Sequence, residues 1–99
     1  MQTIQNAIGG KLVTSTSTRS QPVFNPATGE ASATLLLSSV DEVNSAVAAA
    51  KKALPAWAAT TPMKRARVMF RFKELLEKHA DELARLISQE HGKVHDDAL

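Results

Sequence analysis

Near the start of the chain, apolar and polar positions alternate with the two-residue period that is typical of β-strands. Residues 4–13 are short and mixed around Gly9 and Gly10, which predicts two strand fragments joined by a tight turn. Residues 21–37 pass through an Asn-Pro-Ala-Thr-Gly segment, so they predict a strand, a turn and a strand. We therefore expect two or three short strands within about residues 4–37. The last strand is expected to bury one face, formed by Ala31, Ala33, Leu35 and Leu37.

From residue 39 onward, apolar positions recur every three or four residues, which is the period of an α-helix. The first predicted helix covers residues 40–54. It begins at a capping box formed by Ser39 and Glu42, and it ends where Pro55 removes a backbone donor. Its apolar stripe consists of Val40, Val43, Val47, Ala50 and Leu54.

Two further helices are predicted after this one. The second covers residues 62–78 and opens with Pro62, whose missing N–H costs nothing in a first turn. The third covers residues 80–91 and ends at Gly92, a residue suited to a left-handed cap. The third helix is expected to bury Ala80, Leu83, Ala84 and Ile87.

Length and composition narrow the class of protein. The chain has 99 residues, 43% of them apolar and 22% charged, which fits one small domain. It has no cysteine, which excludes disulfides and a thiolate nucleophile within these residues. The net charge of +2 is too small for a nucleic-acid footprint, and no apolar run is long enough to span a membrane.

The first 29 residues contain no acidic side chain, and residues 14–20 are nearly all Ser and Thr, as in an organelle transit peptide. They lack its arginine enrichment and amphipathic helix, so we interpret them as a surface loop and expect a cytoplasmic protein. Residues 94–99 stop within a helix-permissive pattern, and the strands are too few for a sheet that is stable alone. We therefore expect a piece of a larger protein that self-associates or loosens in isolation.

No motif in the chain carries recognisable chemistry. Gly92 and Lys93 lack the other residues of a phosphate-binding loop, and Gly9 and Gly10 lack the third glycine of a dinucleotide fingerprint. His91 and His95 have the spacing of zinc ligands on a helix, but Gly92 interrupts that helix.

Three other features favour structural interpretations. The side chains of the adjacent acids Asp81-Glu82 and Asp96-Asp97 would point about 100° apart on a helix, so they cannot act as a matched general acid and base. Trp57 is expected to be a packing anchor. A basic cluster without interleaved aromatic platforms is expected to be a solvated face or an intersubunit contact; it consists of Lys64, Arg65, Arg67, Arg71 and Lys73. We predict no catalytic, cofactor-binding or metal-binding residue in the chain.

Taken together, the landmarks resemble the opening of an aldehyde dehydrogenase over nearly the whole of residues 8–99. The matching segments, in the family's order, are Phe-Asn-Pro-Ala-Thr-Gly-Glu at 24–30, Ser-x-x-Glu-Val at 39–43, Pro-Ala-Trp at 55–57, Arg-Ala-Arg at 65–67, Glu-Leu-Leu at 74–76, Asp-Glu-Leu-Ala at 81–84 and Glu-x-Gly-Lys at 90–93. Met-Phe-Arg-Phe-Lys at 69–73, followed by Glu-His-Gly-Lys at 90–93, most resembles the methylmalonate-semialdehyde dehydrogenases.

The resemblance implies an α/β parent enzyme with a Rossmann-like cofactor domain, of which residues 1–99 are an incomplete N-terminal segment. It implies oxidation of an aldehyde by NAD through a cysteine thioester, which coenzyme A resolves with loss of carbon dioxide. The catalytic and cofactor residues of that family lie beyond residue 99, so we expect the chain to be an inactive scaffold. Its implied partners are the rest of the parent chain and further copies in a homo-oligomer, without nucleic acid or membrane. The alternative is a self-standing helical interaction module with a basic face.

Overall fold

Five short strands are followed by four helices in the computed structural model, which describes residues 1–99. The strands are Gln2–Ile4 (β1), Asn6–Ile8 (β2), Lys11–Val13 (β3), Ser20–Phe24 (β4) and Ala31–Leu36 (β5). The helices are Val40–Ala59 (α1), Pro62–Lys78 (α2), Ala80–His91 (α3) and His95–Ala98 (α4). The predicted order of short N-terminal strands and then helices is confirmed, although both kinds of element are more numerous than expected.

The chain divides into two compact units. One consists of Met1–Phe24 and Ala31–Ala58, and the other of Asn25–Glu30 and Ala59–Leu99. In the first unit, β1 pairs in parallel with β5, which pairs antiparallel with β4 on its other side. β4 is an edge strand and carries Pro22, a residue that sheets tolerate at an edge. β1 was not predicted as a separate strand, because it is three residues long and pairs with a strand some thirty residues later.

The first unit also contains a two-stranded hairpin formed by β2 and β3. Its strands pair antiparallel with Ile8 opposite Lys11. Gly9 and Gly10 connect them with φ angles of 59° and 76°. A two-residue hairpin turn with positive φ at both positions strongly favours glycine, so the predicted tight turn is confirmed.

Helix α1 begins as predicted and ends later. The Glu42 amide donates to Ser39 Oγ at 3.2 Å, while the Ser39 amide donates to Glu42 Oε1 at 3.1 Å. This reciprocal pair is the predicted capping box. The predicted end at residue 54 is wrong, because the helix runs through Pro55 to Ala59. A proline removes one helical hydrogen bond, and the Ala-rich turn that follows it has high helix propensity.

The second unit contains the turn Asn25–Glu30 and the helices α2, α3 and α4. The turn is closed by the Asn25 amide, which donates to the Glu30 carbonyl at 2.9 Å. α2 and α3 occupy the predicted ranges. Gly92 ends α3 with a φ of 86°, and its amide donates to the Ser88 carbonyl at 2.8 Å, so the predicted left-handed cap is confirmed.

The predicted buried faces are for the most part not buried. Only Ala84, at 1%, and Ser15, at 7%, fall in the buried class. Leu35 and Leu83 are each 36% exposed and Ile87 is 43% exposed, so the expectation that these side chains form a core is wrong. Periodicity identifies which side chains share a face, whereas burial requires a second layer that packs against that face.

Candidate functional site

A polar cluster in the first unit surrounds Glu42 in the first turn of α1. Ser15, from the loop after β3, donates its hydroxyl to Glu42 Oε1 at 2.9 Å, and the Ser39 amide donates to the same oxygen. Ser15 Oγ also accepts from the Ser17 amide at 3.1 Å. The loop is thereby tied to the start of a helix that lies 27 residues further along the chain.

These donors change the acidity of the Glu42 carboxyl. The Ser39 amide has the largest effect and the Ser15 hydroxyl the next largest, and together they hold the pKa of Glu42 below its ordinary value of 4.5. A carboxylate with a lowered pKa is a poor general base, because it holds a proton weakly near neutral pH. The Ser15 and Glu42 pair is therefore suited to fastening a loop rather than to activating a nucleophile.

An open cleft lies beside this cluster, between β2 and α1. Its volume is about 280 Å³ and most of its surface is apolar. Two of its lining residues are joined across the cleft, because the Asn6 side-chain amide donates to Ser38 Oγ at 3.0 Å. The residues that line it are Asn6, Ala7, Ile8, Ser38, Glu42, Val43, Ala46 and Val47. This lining offers mostly apolar contact, and its polar members are Asn6, Ser38 and Glu42.

Neither Ser15 nor this cleft was predicted from the sequence. Ser15 belongs to a run of Ser and Thr in which nothing distinguishes it from its neighbours. Its partner Glu42 was identified only as half of a capping box. The cleft needs two elements that are separated by about thirty residues, and no local pattern links them.

The two candidate zinc ligands in the second unit are used differently. His95 Nε2 lies 2.9 Å from Asp81 Oδ1, so α4 is joined to the first turn of α3. Arg85 donates to the other carboxylate oxygen of Asp81 at 3.3 Å. His91 takes no part in this cluster, and the structure contains no group of three or more His, Asp or Glu side chains that could hold a metal ion.

The basic cluster of α2 and Trp57 are the remaining candidates from the sequence. On α2, Lys73 pairs with Glu77 at 2.7 Å, and Arg67 contacts the Met63 sulfur at 3.8 Å. Trp57 is 43% exposed rather than buried as an anchor. No helix of the chain is both long enough and apolar enough to span a lipid bilayer.

None of the four glycines opens a helix. Gly9 and Gly10 form a hairpin turn, Gly29 lies in the turn before β5, and Gly92 caps a helix C-terminus. A dinucleotide cradle requires backbone amides at a helix N-terminus that a Gly-rich turn presents to the pyrophosphate. None of the four glycines therefore forms a dinucleotide cradle of this kind.

Comparison with known proteins identifies the family. The model of the aldehyde dehydrogenase family matches residues 12–99. Malonate-semialdehyde dehydrogenase 3 of Geobacillus kaustophilus is 50% identical over 97 residues, which are 98% of this chain. A malonate-semialdehyde dehydrogenase of Pseudomonas aeruginosa is 45% identical over 98 residues, which are 99% of this chain. The chain belongs to the aldehyde dehydrogenase family.

A solved structure supports the same assignment. The crystal structure of a methylmalonate-semialdehyde dehydrogenase from Sinorhizobium meliloti, complexed with NAD, superposes with a TM-score of 0.94 at 48% identity and covers 99% of this chain. The chain corresponds to only 20% of that protein and to 20% of each of the two relatives named above. The family match does not favour the alternative of a self-standing interaction module.

Proposed function

We propose that these residues are the N-terminal structural part of an NAD-dependent, CoA-acylating dehydrogenase of malonate or methylmalonate semialdehyde. The complete enzyme oxidises the aldehyde and releases an acyl-CoA and carbon dioxide. The observation that carries the proposal is the 50% identity to a malonate-semialdehyde dehydrogenase over 97 residues. The 48% identity and the TM-score of 0.94 to a related enzyme that was solved with NAD support it.

In this proposal the 99 residues contribute structure and have no activity of their own. The chain has no cysteine to form a thioester, and its glycines do not provide a cradle for NAD. The contacts of the chain join one segment to another, as the hydrogen bond from Ser15 to Glu42 joins the loop after β3 to α1. The segment belongs to the cofactor-binding domain, and the enzyme is a cytoplasmic homo-oligomer.

A covalent chimera tests the proposal. This chain replaces the 97 matched residues of the Geobacillus kaustophilus relative, and the product is assayed with malonate semialdehyde, NAD and coenzyme A. We expect NADH formation within about tenfold of the unmodified relative, a change of about 1.4 kcal/mol or less in the barrier. Mass spectrometry should detect an acyl-CoA product.

Two controls sharpen this assay. The 99-residue chain alone should form no NADH, and turnover by it would refute the scaffold role. The chimera assayed without coenzyme A should form no acyl-CoA. A folded chimera that binds NAD and yields no acyl-CoA would contradict the proposed function.

A further inference from the structure

One face of α1 is apolar along nearly its whole length and is exposed. Its members follow one another at steps of three and four residues, and we name them the α1 seam: Val40, Val43, Val47, Ala50, Leu54 and Trp57. Val40 is 76% exposed and Leu54 is 60% exposed. Side chains of this size seldom form a continuous exposed row unless another surface covers them.

The alternating steps of three and four residues keep the α1 seam on one side of the helix. At 100° per residue its members fall within a stripe about 100° wide, and it runs for about 26 Å. No polar residue of α1 falls inside that stripe; Lys51 and Asn44 lie at its border. This is the geometry by which one helix packs along another or in a groove.

The cleft of the first unit adjoins the α1 seam. Val43 and Val47 belong to both, and Ala7 and Ile8 of β2 form the facing wall. A partner that covers the seam would therefore find, alongside it, an apolar recess of about 280 Å³ that can receive its side chains. Recesses beside an exposed apolar face are where anchoring side chains of interfaces sit.

The charges of α1 argue against a lipid surface as the partner. An interfacial helix presents a polar face rich in Lys and Arg to the headgroups. α1 carries two acids, Asp41 and Glu42, and two bases, Lys51 and Lys52, and its net charge is therefore zero. A protein surface is the better match.

We propose that the α1 seam docks onto the remaining four-fifths of a malonate-semialdehyde dehydrogenase chain, and that it does so even when the two pieces are separate molecules. The inference rests on the proposed function. It is supported by the relative solved with NAD, which reaches a TM-score of 0.94 while this chain covers only 20% of it. The same backbone is thus found within a protein five times as long, whose other residues are available to cover the seam.

The test supplies that partner in trans. The Geobacillus kaustophilus relative without its 97 matched residues is tagged and co-expressed with this untagged chain, and the purified material is sized by light scattering. We expect both pieces to elute together in equal numbers and to form NADH from malonate semialdehyde, NAD and coenzyme A.

Substitutions locate the contact. Val47→Asp and, separately, Leu54→Asp place a charge in the α1 seam, and each should weaken the complex by about tenfold or more. Ser45→Asp places the same charge on the opposite side of α1 and should change binding less than about twofold, since rim and surface charges contribute little. Circular dichroism must show equal helix content in all three variants.

Each outcome supports or overturns the inference. Failure of the trans complex beside an active covalent chimera overturns docking and leaves the proposed function standing. A covalent chimera that folds and binds NAD but yields no acyl-CoA overturns the function itself. Equal weakening by Ser45→Asp and Val47→Asp overturns the assignment to the seam. A dimer of this chain alone that excludes the longer piece, or binding to vesicles of anionic lipid, overturns the choice of partner.

Discussion

The first turns of α1 and α3 each contain a carboxylate that is bound by a distant part of the chain. Glu42 in α1 is bound by Ser15, 27 residues earlier, and Asp81 in α3 by His95, 14 residues later. Both contacts fasten a segment without regular secondary structure, or a very short helix, to the start of a longer helix. The donors differ: Glu42 accepts from a hydroxyl and an amide, whereas Asp81 contacts ionisable side chains.

Glu42 is bound by uncharged donors in a partly enclosed place. The Ser15 hydroxyl and the Ser39 amide converge on one oxygen, and Ser15 is only 7% exposed. Asp81 is bound by ionisable side chains in the open: its side chain is 73% exposed, and that of Arg85 is 71% exposed. The charge of Arg85 attracts Asp81, whereas Glu42 accepts hydrogen bonds from an amide and from a hydroxyl that is mostly buried.

The contrast indicates which of the two contacts determines local structure. Exposed ion pairs contribute between zero and about 1 kcal/mol, because water and salt screen them and their long side chains lose freedom. A hydrogen bond from a buried hydroxyl contributes a similar net amount, but loss of the Ser15 hydroxyl also takes the acceptor from the half-buried Ser17 amide. We therefore expect the Glu42 contact to be the more costly of the two to break.

Removal of the Ser15 hydroxyl should have the largest effect. Ser15→Ala deletes a donor to Glu42 and an acceptor for the Ser17 amide, and it should cost the loop about 1 kcal/mol. Hydrogen exchange of the Ser17 amide should accelerate about fivefold, since local opening becomes easier by that amount. Mass spectrometry of peptides covering residues 13–20 measures it.

A neighbouring variant provides the comparison for Ser15→Ala. Thr18→Ala removes a hydroxyl from the same loop, at an exposed position. In Thr18→Ala, hydrogen exchange of the Ser17 amide should be as slow as in the unmodified chain. Similar acceleration in both variants would mean that the loop is weakly held along its whole length, and the special position of Ser15 would be refuted.

Protonation of Glu42 should have a smaller effect, because a neutral carboxyl still has an acceptor oxygen. The pKa of Glu42 is lower in the folded chain than its ordinary value of 4.5, chiefly through the Ser39 amide and then the Ser15 hydroxyl. Its contribution to stability is therefore present above that ordinary value and is lost as pH falls through the lowered folded value. A carbon NMR titration of the Glu42 carboxyl should give a midpoint below 4.5.

The same titration distinguishes the two donors. In Ser15→Ala the pKa of Glu42 should rise toward its ordinary value while remaining below it, because the Ser39 amide still donates. In Thr18→Ala the midpoint should not move. A midpoint at the ordinary value in the unmodified chain would contradict the hydrogen bonds described around Glu42.

The local half of the Glu42 contact and the cap at Gly92 could be predicted from the sequence, whereas the distant halves of both contacts could not. Ser39 and Glu42 are three residues apart in a recognised pattern, and Gly92 follows a helix as left-handed caps do, so short-range chemistry decides both. Ser15 and His95 meet their partners across 27 and 14 residues. Those encounters depend on how whole elements pack, and no spacing rule encodes them.

The same division explains the errors in the predicted fold. Pro55 was expected to end α1, but the cost of one lost hydrogen bond does not decide where a helix ends when strong helix formers follow. The apolar stripe of α1 was placed correctly from its period, yet Val40 is 76% exposed. A period specifies a face. What covers that face is decided by surfaces outside the stripe.

Neutralising Asp81 should have the smallest effect. Asp81→Asn keeps the shape of the side chain and removes the negative charge that pairs with Arg85 and contacts His95, which should cost about 0.5 kcal/mol or less near physiological salt. Exchange of the α4 amides should accelerate no more than about twofold, and the difference should shrink further in concentrated salt. Asp96→Asn removes a charge from α4 itself and serves as the control. Asp81→Asn could instead accelerate exchange of the α4 amides more than Ser15→Ala accelerates exchange of the Ser17 amide. The exposed ion pairs of Asp81 would then contribute more than the mostly buried hydroxyl of Ser15, and the expected order of the two contacts would be reversed.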